Sequence, residues 1–144
     1  MEGGRSMRNL KPETSKKNPY YVSKHRMYEL IHFCLQYPEW KKTCNGIDEL
    51  YFKSPNLDKI KTITNEPSDP TAELAMKRMR CYENMKLVED IAYKADEVLA
   101  NYILLAVTED LRYETIKSRL NIPCGRDMFY DRRRRFFWLL DKKR

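Results

Sequence analysis

The apolar side chains between Cys81 and Ala106 restrict the fold more than any other feature of the sequence. Their spacing alternates between four and three residues, which puts them along one side of a long helix, as in a coiled-coil seam or a helical bundle. A long helix is predicted to begin just upstream, because Asp69 is a good N-cap and Pro70 suits the first helical position. The seam comprises Cys81, Met85, Val88, Ala92, Ala95, Leu99, Tyr102 and Ala106.

Two partners are open for this seam. It could pack within the chain against an N-terminal helix, or it could form a homodimer through residues 81–106, where Ala92 and Ala95 would allow close approach. The spacing also leaves open whether the helix continues to Val107 or breaks near Asp96.

The N-terminal half predicts shorter helices. A helix is expected from Asn18-Pro19 to about Gln36. Pro38 is expected to interrupt it, and Gly46 is expected to end the short helical turn that follows. Turn-forming residues at 64–70 predict a hinge. The expected divisions are a flexible basic tail (1–17), an N-terminal helical region (18–68) and a C-terminal region (69–144).

The C-terminal region predicts two helices joined by a tight turn. The first spans Leu111 to Leu120, and a four-residue break follows at 121–124. Asn121 is expected to end the first helix in the left-handed conformation, and Pro123 disfavours a continuous helix. The second helix would be capped by Cys124 or Gly125, with Asp127 in its first turn. This pattern is typical of a helix-turn-helix.

The last helix has two different faces at 100° per residue. The face predicted to be buried carries Phe129, Arg133, Phe136, Phe137 and Leu140. The outward face carries Asp127, Tyr130, Asp131, Arg134, Arg135 and Trp138. Residues 124–144 contain eight Lys/Arg against three Asp, a net charge of +5. Arginine dominates, which favours bidentate contacts to phosphate or guanine and so predicts binding to DNA. A solvated basic surface and another anionic partner, acidic protein or RNA, remain open.

The charge is unevenly distributed along the chain. Residues 1–65 carry a net charge of +5, residues 66–114 carry −5, and the remainder is basic again. Because DNA repels the middle and attracts the ends, this distribution predicts oriented binding.

Other classes of protein are disfavoured by what the sequence lacks. It contains no phosphate-binding loop or hydrolase motif, so no enzyme and no cofactor are expected. The spacing of His25, His32, Cys34 and Cys44 fits no common zinc module, so no metal is expected. No apolar run is long enough for a membrane span, and the first residues do not form a secretory signal, so a cytoplasmic protein is expected.

Part of this sequence resembles a known family. The pattern runs from Asp69-Pro70-Thr71 through 104–107, Tyr113, Ile116 and Leu120 to Phe129-Tyr130 and Arg133-Arg134-Arg135-Phe136-Phe137. It is similar to the small phage and prophage regulators of the RinA/ArpU kind and to the helix-turn-helix of sigma-70 region 4, over about residues 69–141. The sequence departs from the family at Pro123-Cys124-Gly125, where such proteins often have a serine cap.

Only four glycines together with many Met, Leu, Lys, Glu and Arg favour helices over sheets, so the expected fold is all-α, with N-terminal helices, a long central helix and a C-terminal helix-turn-helix. The resemblance implies that the last helix binds promoter DNA. The residues that it places toward the groove are Arg126, Asp127, Tyr130, Asp131 and Arg134, with Arg133 and Arg135 holding phosphates. The leading hypothesis is therefore a DNA-binding, phage-type transcriptional regulator. The alternatives are an inhibitor or adaptor of RNA polymerase or another host protein, and a DNA-recognition subunit of a packaging machine.

Overall fold

The structure, a computed structural model, describes the backbone of residues 15–53 and 70–144 and the side chains of 15–45 and 71–144. These ranges contain helices and no strand, so the prediction of an all-α fold is confirmed. The helices are α1 (Lys24–Leu35), α2 (Tyr37–Lys53), α3 (Pro70–Ala95), α4 (Ala100–Glu109), α5 (Tyr113–Arg119) and α6 (Arg126–Lys143).

The described residues divide into two compact units. The first contains residues 15–36 and 87–144, and the second contains residues 37–53 and 70–86. This division differs from the expected boundaries, because α1 packs against α4 and α6 instead of staying with the helix that follows it. The reason lies in the apolar face of α1, where Leu30, Ile31 and Cys34 are all buried.

The core of the first unit is formed by side chains from α1, the end of α3, α4, α5 and α6. Those with at most 2% of their surface exposed include Leu30, Ile31, Val88, Ile91, Ala92, Leu99, Ile103, Ala106, Val107, Ile116, Phe129, Phe136, Phe137 and Leu140. Burial of this much apolar surface is the main favourable contribution to folding. It also fixes the orientation of α6, which supplies the three phenylalanines.

The N-terminal helix begins later than predicted. Asn18 forms a turn before the helix, in which its Oδ1 accepts the N–H of Tyr20 at 2.9 Å and its carbonyl accepts the N–H of Tyr21 at 3.1 Å. Asn18 therefore caps a separate turn, and α1 starts at Lys24 after an extended Ser23. Side-chain bonding of Asn to nearby backbone competes with helix capping and explains this difference.

Helix α2, in the second unit, is longer than the sequence predicted. The interruption near Pro38 is confirmed, since α1 ends at Leu35 and α2 begins at Tyr37. Gly46 was wrongly predicted to end this helical segment, which continues to Lys53. A single glycine lowers the stability of a helix by only about 1 kcal/mol relative to alanine, so the helix can continue through Gly46. The predicted cap Asp69 and most of the predicted hinge at 64–70 lie outside the described residues.

The seam is covered within the chain. In the first unit, Val88, Ala92, Ala95, Leu99 and Ala106 are all buried, and α4, which carries Ala106, packs against α1. A homodimer through residues 81–106 stays a prediction. The sequence left open whether the helix continues to Val107 or breaks near Asp96. It breaks there, since α3 ends at Ala95 and α4 begins at Ala100.

Asp96 organises this break and connects it to α6. One carboxylate oxygen accepts the backbone N–H groups of Val98 and Leu99 at 2.9 and 3.0 Å. The other accepts Nε of Arg132 at 2.9 Å, and the same guanidinium donates to Asp131 at 2.8 Å. Desolvation raises the pKa of Asp96, but the hydrogen bonds from Leu99, Arg132 and Val98 outweigh it and hold the pKa below its ordinary value of 3.8.

We expect Asp96→Asn to lower the free energy of unfolding at pH 7 by about 1–3 kcal/mol, because a charge-assisted hydrogen bond is lost. A carboxyl with a depressed folded pKa stabilises the protein above its unfolded pKa, and this contribution disappears as the pH falls through the folded value. The difference between wild type and variant, measured by urea unfolding, should therefore shrink below about pH 4. Asp127→Asn, at an exposed position, is the matched control. A difference that stayed constant down to pH 2 would contradict the ionic origin.

Candidate nucleic-acid interface

Helices α5 and α6 form the two arms of the predicted helix-turn-helix, and α4 packs against both. The connection is longer than predicted, because α5 ends at Arg119 and α6 begins at Arg126. The break therefore runs from Leu120 to Gly125 and not only over 121–124. This is more than the three or four residues usual for the motif, so the angle between the helices depends on how the connection is held.

The ends of the two helices are only partly as predicted. Gly125 is the N-cap of α6, one of the two predicted candidates, and Asp127 lies in the first turn as expected. Asn121 was wrongly predicted to adopt the left-handed conformation, since Asp110 after α4 is the one non-glycine residue with positive φ in the described ranges. Helix α5 ends instead with an extended Leu120, so no left-handed residue is needed to turn the chain.

Two tyrosines hold the connection in place. The hydroxyl of Tyr113 donates to the carbonyl of Cys124 at 2.7 Å, and that of Tyr102 donates to the carbonyl of Asn121 at 3.2 Å. The backbone N–H of Tyr113 donates to the hydroxyl of Tyr130 at 3.3 Å. No local sequence pattern indicates a hydrogen bond that spans the turn. These bonds fix α6 relative to α5.

The buried face of α6 is confirmed. Phe129, Phe136, Phe137 and Leu140 have at most 1% of their surface exposed, and Arg133 lies among them with 9% exposed. Its Cζ lies 5.2 Å from the centroid of the Phe137 ring, but Nε and Nη2 have no hydrogen-bond partner. Desolvation lowers the pKa of Arg133 to about 10. The guanidinium is thus charged at neutral pH and enclosed in the core.

This burial bears on the role that the resemblance implied for Arg133. With 9% of its surface exposed, Arg133 is the least accessible of the seven predicted DNA-binding residues, and its role as a phosphate contact stays a prediction. The prediction from helical periodicity, which put Arg133 on the buried face, agrees with the structure.

The outward face is open at its amino-terminal end. Arg126, Asp127 and Met128 are exposed, with 67% of the Arg126 side chain accessible. Tyr130, Asp131, Arg134 and Arg135 are half-buried. The guanidinium of Arg134 lies 4.0 Å from a carboxylate oxygen of Asp131. Six of the seven predicted DNA-binding residues are therefore at least partly accessible.

The carboxyl-terminal half of α6 is covered by the N-terminal segment. The ring of Tyr20 contacts Trp138 edge-on at 5.5 Å between centroids, and Lys142 Nζ lies 3.5 Å from the Trp138 centroid. Arg26 forms an ion pair with Asp141 at 2.7 Å. Trp138 was predicted to face outward, but it is half-buried. The outward side of α6 is consequently most open in its first turn and again at Lys142 and Lys143.

Three basic residues outside the predicted set enlarge this surface. Arg112, Lys117 and Arg119, in and next to α5, are all exposed. The periodicity of α5 indicates this, because its buried residues are Tyr113 and Ile116 and these three lie elsewhere on the helix. Both arms of the predicted helix-turn-helix thus carry exposed basic side chains.

Comparison with protein-family models, curated proteins and solved structures finds no match to this chain. Its function is therefore inferred from its own residues.

Metal and thiol chemistry have little support in the described part of the chain. No group of three or more His, Cys, Asp or Glu side chains there could hold a metal ion. Burial raises the pKa of the Cys34 thiol, and burial together with the charge of Asp96 raises that of Cys124, so both thiols are protonated at neutral pH. None of the described helices has the length and apolar character that crossing a membrane requires.

Proposed function

We propose that this protein binds duplex DNA through α5, the connection 120–125 and α6, with the amino-terminal half of α6 in the major groove. The observation that carries this proposal is the outward face of α6, where Arg126 is exposed and Arg134 and Arg135 are half-buried, on a long helix that packs against α1, α4 and α5. The resemblance to phage regulators extends the proposal to regulation of transcription.

The charge of the two arms supports contact with phosphates. Arg112, Lys117, Arg119 and Arg126 are exposed on the two arms, and each can release condensed counterions when it neutralises a phosphate. The two arms also carry acidic side chains, which repel phosphates locally and so disfavour binding of DNA in many orientations. These are Glu114, Asp127 and Asp131. This mixture is more typical of a docked orientation.

The half-buried arginines Arg134 and Arg135 suit the next turns of the same face. Arginine can bury its aliphatic stem on an apolar surface while its guanidinium reaches outward. The ion pair of Arg134 with Asp131 is long, at 4.0 Å, so a phosphate at this position would be a stronger partner.

The test is a titration of labelled random-sequence duplex DNA with the full chain, followed by fluorescence anisotropy at several salt concentrations. We expect the affinity to fall linearly with the logarithm of salt concentration. Arg134→Ala should reduce the magnitude of the slope by about one, because one phosphate contact is removed.

Arg134→Lys is the matched variant, since it keeps the charge and should retain the wild-type slope while it loses the forked geometry. Circular dichroism of each variant checks the fold. Absence of duplex binding at low salt would overturn the proposed function.

A second candidate function is an adaptor that binds a protein. Leu74, Met76, Met79 and Tyr82 on α3 are between 48% and 63% exposed, and exposed methionines are common on protein-binding surfaces. Saturable binding of the full chain to purified RNA polymerase, lost in a Met76→Ser/Met79→Ser variant and accompanied by no duplex affinity, would favour this function over the first.

A further inference from the structure

We infer that Glu114 is a positioning residue, which holds Arg126 so that its guanidinium reads a guanine in the major groove. The inference rests on the proposed function and deepens it, because it assigns a base and a supporting side chain to the same surface.

Arg126 is restrained from two sides. Its Nε lies 3.5 Å from a carboxylate oxygen of Glu114, which reaches it from α5. Its Cζ lies 5.8 Å from the centroid of the Tyr130 ring, one turn along α6. A long side chain at an exposed position ordinarily samples many rotamers, and ordering it on binding costs free energy. The two contacts reduce that cost before DNA arrives.

The restraints themselves are fixed by the fold. Tyr130 accepts the backbone N–H of Tyr113 at 3.3 Å, and the neighbouring rings of Tyr130 and Phe129 pack edge to face at 5.4 Å. Glu114 lies in the first turn of α5, where the helix dipole favours a negative charge. Arg126 is thus held by side chains whose own positions depend on the packed turn.

The geometry leaves a specific pair of donors for a ligand. The contact with Glu114 is made by Nε, so it does not use the edge formed by the two Nη groups. Two parallel N–H donors on this edge match the O6 and N7 acceptors of guanine, which no other base offers in the major groove.

Glu114 is difficult to explain as a simple surface charge. A carboxylate with 57% of its side chain exposed on a surface proposed to bind DNA repels phosphate and weakens binding to every sequence. A positioning role predicts a different effect of its removal, since discrimination between bases should decrease while affinity for unrelated sequences increases. The two roles are therefore separable by experiment.

The experiment first selects duplexes from a random pool with the wild-type full chain, and then measures affinities for the selected duplex and its single-base variants. We expect an enriched guanine whose preference falls by roughly 5- to 150-fold in Arg126→Ala, the range that a bidentate arginine–guanine pair supplies. In Glu114→Ala the same preference should fall by about 2- to 5-fold, as for loss of an exposed ion pair. Glu114→Gln, which keeps an acceptor oxygen, should recover part of it.

The control is Glu109→Ala, which removes one exposed negative charge from the end of α4. It should raise affinity for all duplexes and leave the guanine preference unchanged. Loss of the preference in Arg126→Ala but not in Glu114→Ala would overturn the positioning role. A wild-type protein that binds duplexes without selecting a guanine would overturn the inference and leave the proposed function standing, whereas no binding at all would overturn both.

Discussion

Phe136→Ala is expected to lower the free energy of unfolding of the first unit by about 3–5 kcal/mol, because it opens a cavity in a packed core. Phe136 has no exposed surface, and its ring packs edge to face against Phe137 at 5.1 Å between centroids. Since single domains are stable by only about 5–15 kcal/mol, this substitution should remove a large part of the total stability. Urea unfolding followed by circular dichroism measures the change.

Met128→Ala is the control for that measurement, because Met128 lies on the same helix with 46% of its surface exposed. Its effect should stay within about 0.5 kcal/mol. Equal destabilisation by the two substitutions would contradict the assignment of the faces of α6.

In contrast to Phe136→Ala, Arg133→Met is expected to raise the free energy of unfolding, by about 1–4 kcal/mol. Replacement of buried charges by apolar side chains of similar size often has this effect. Nε and Nη2 of Arg133 have no hydrogen-bond partner, and its pKa is lowered to about 10 by desolvation. A base with a lowered folded pKa destabilises the fold wherever the folded form is charged. The penalty is fully present below about pH 10 and is relieved above it.

Arg132→Met provides the matched control for this prediction, because the same change one residue earlier removes ion pairs with Asp96 and Asp131. It should destabilise the protein, and thermal unfolding at pH 7 compares the two variants directly. Arg133→Met should also leave the salt dependence of DNA binding unchanged. Destabilisation by Arg133→Met would mean that the enclosed charge contributes to the fold, and a reduced salt slope would support its role as a phosphate contact.

The parts of the fold that follow from local periodicity were predictable from the sequence. The seam between Cys81 and Ala106 indicated the long helix, and the 100° spacing placed Arg133 with the phenylalanines of α6. A break near Asp96 was only one of two alternatives, because the decisive bonds to Val98 and Leu99 compete closely with continued helix.

The parts that depend on distant residues were not predictable. Trp138 has the spacing of an outward residue, and the sequence gives no sign that Tyr20, more than 100 residues away, contacts its ring. The same limit applies to the candidate site. Its basic residues follow from helix faces, whereas the pairing of Arg126 with Glu114 requires the angle that the longer connection sets between α5 and α6.

The contact between α1 and α6 has a consequence for biosynthesis. Arg26 and Asp141, which form an ion pair, are 115 residues apart in sequence. At a synthesis rate of about 5–20 residues per second, roughly 6–23 s pass between the synthesis of these two residues. During that interval the apolar face of Leu30, Ile31 and Cys34 lacks α6, which later packs against it. Until α6 is made, the nascent chain therefore exposes apolar surface that favours aggregation and chaperone capture.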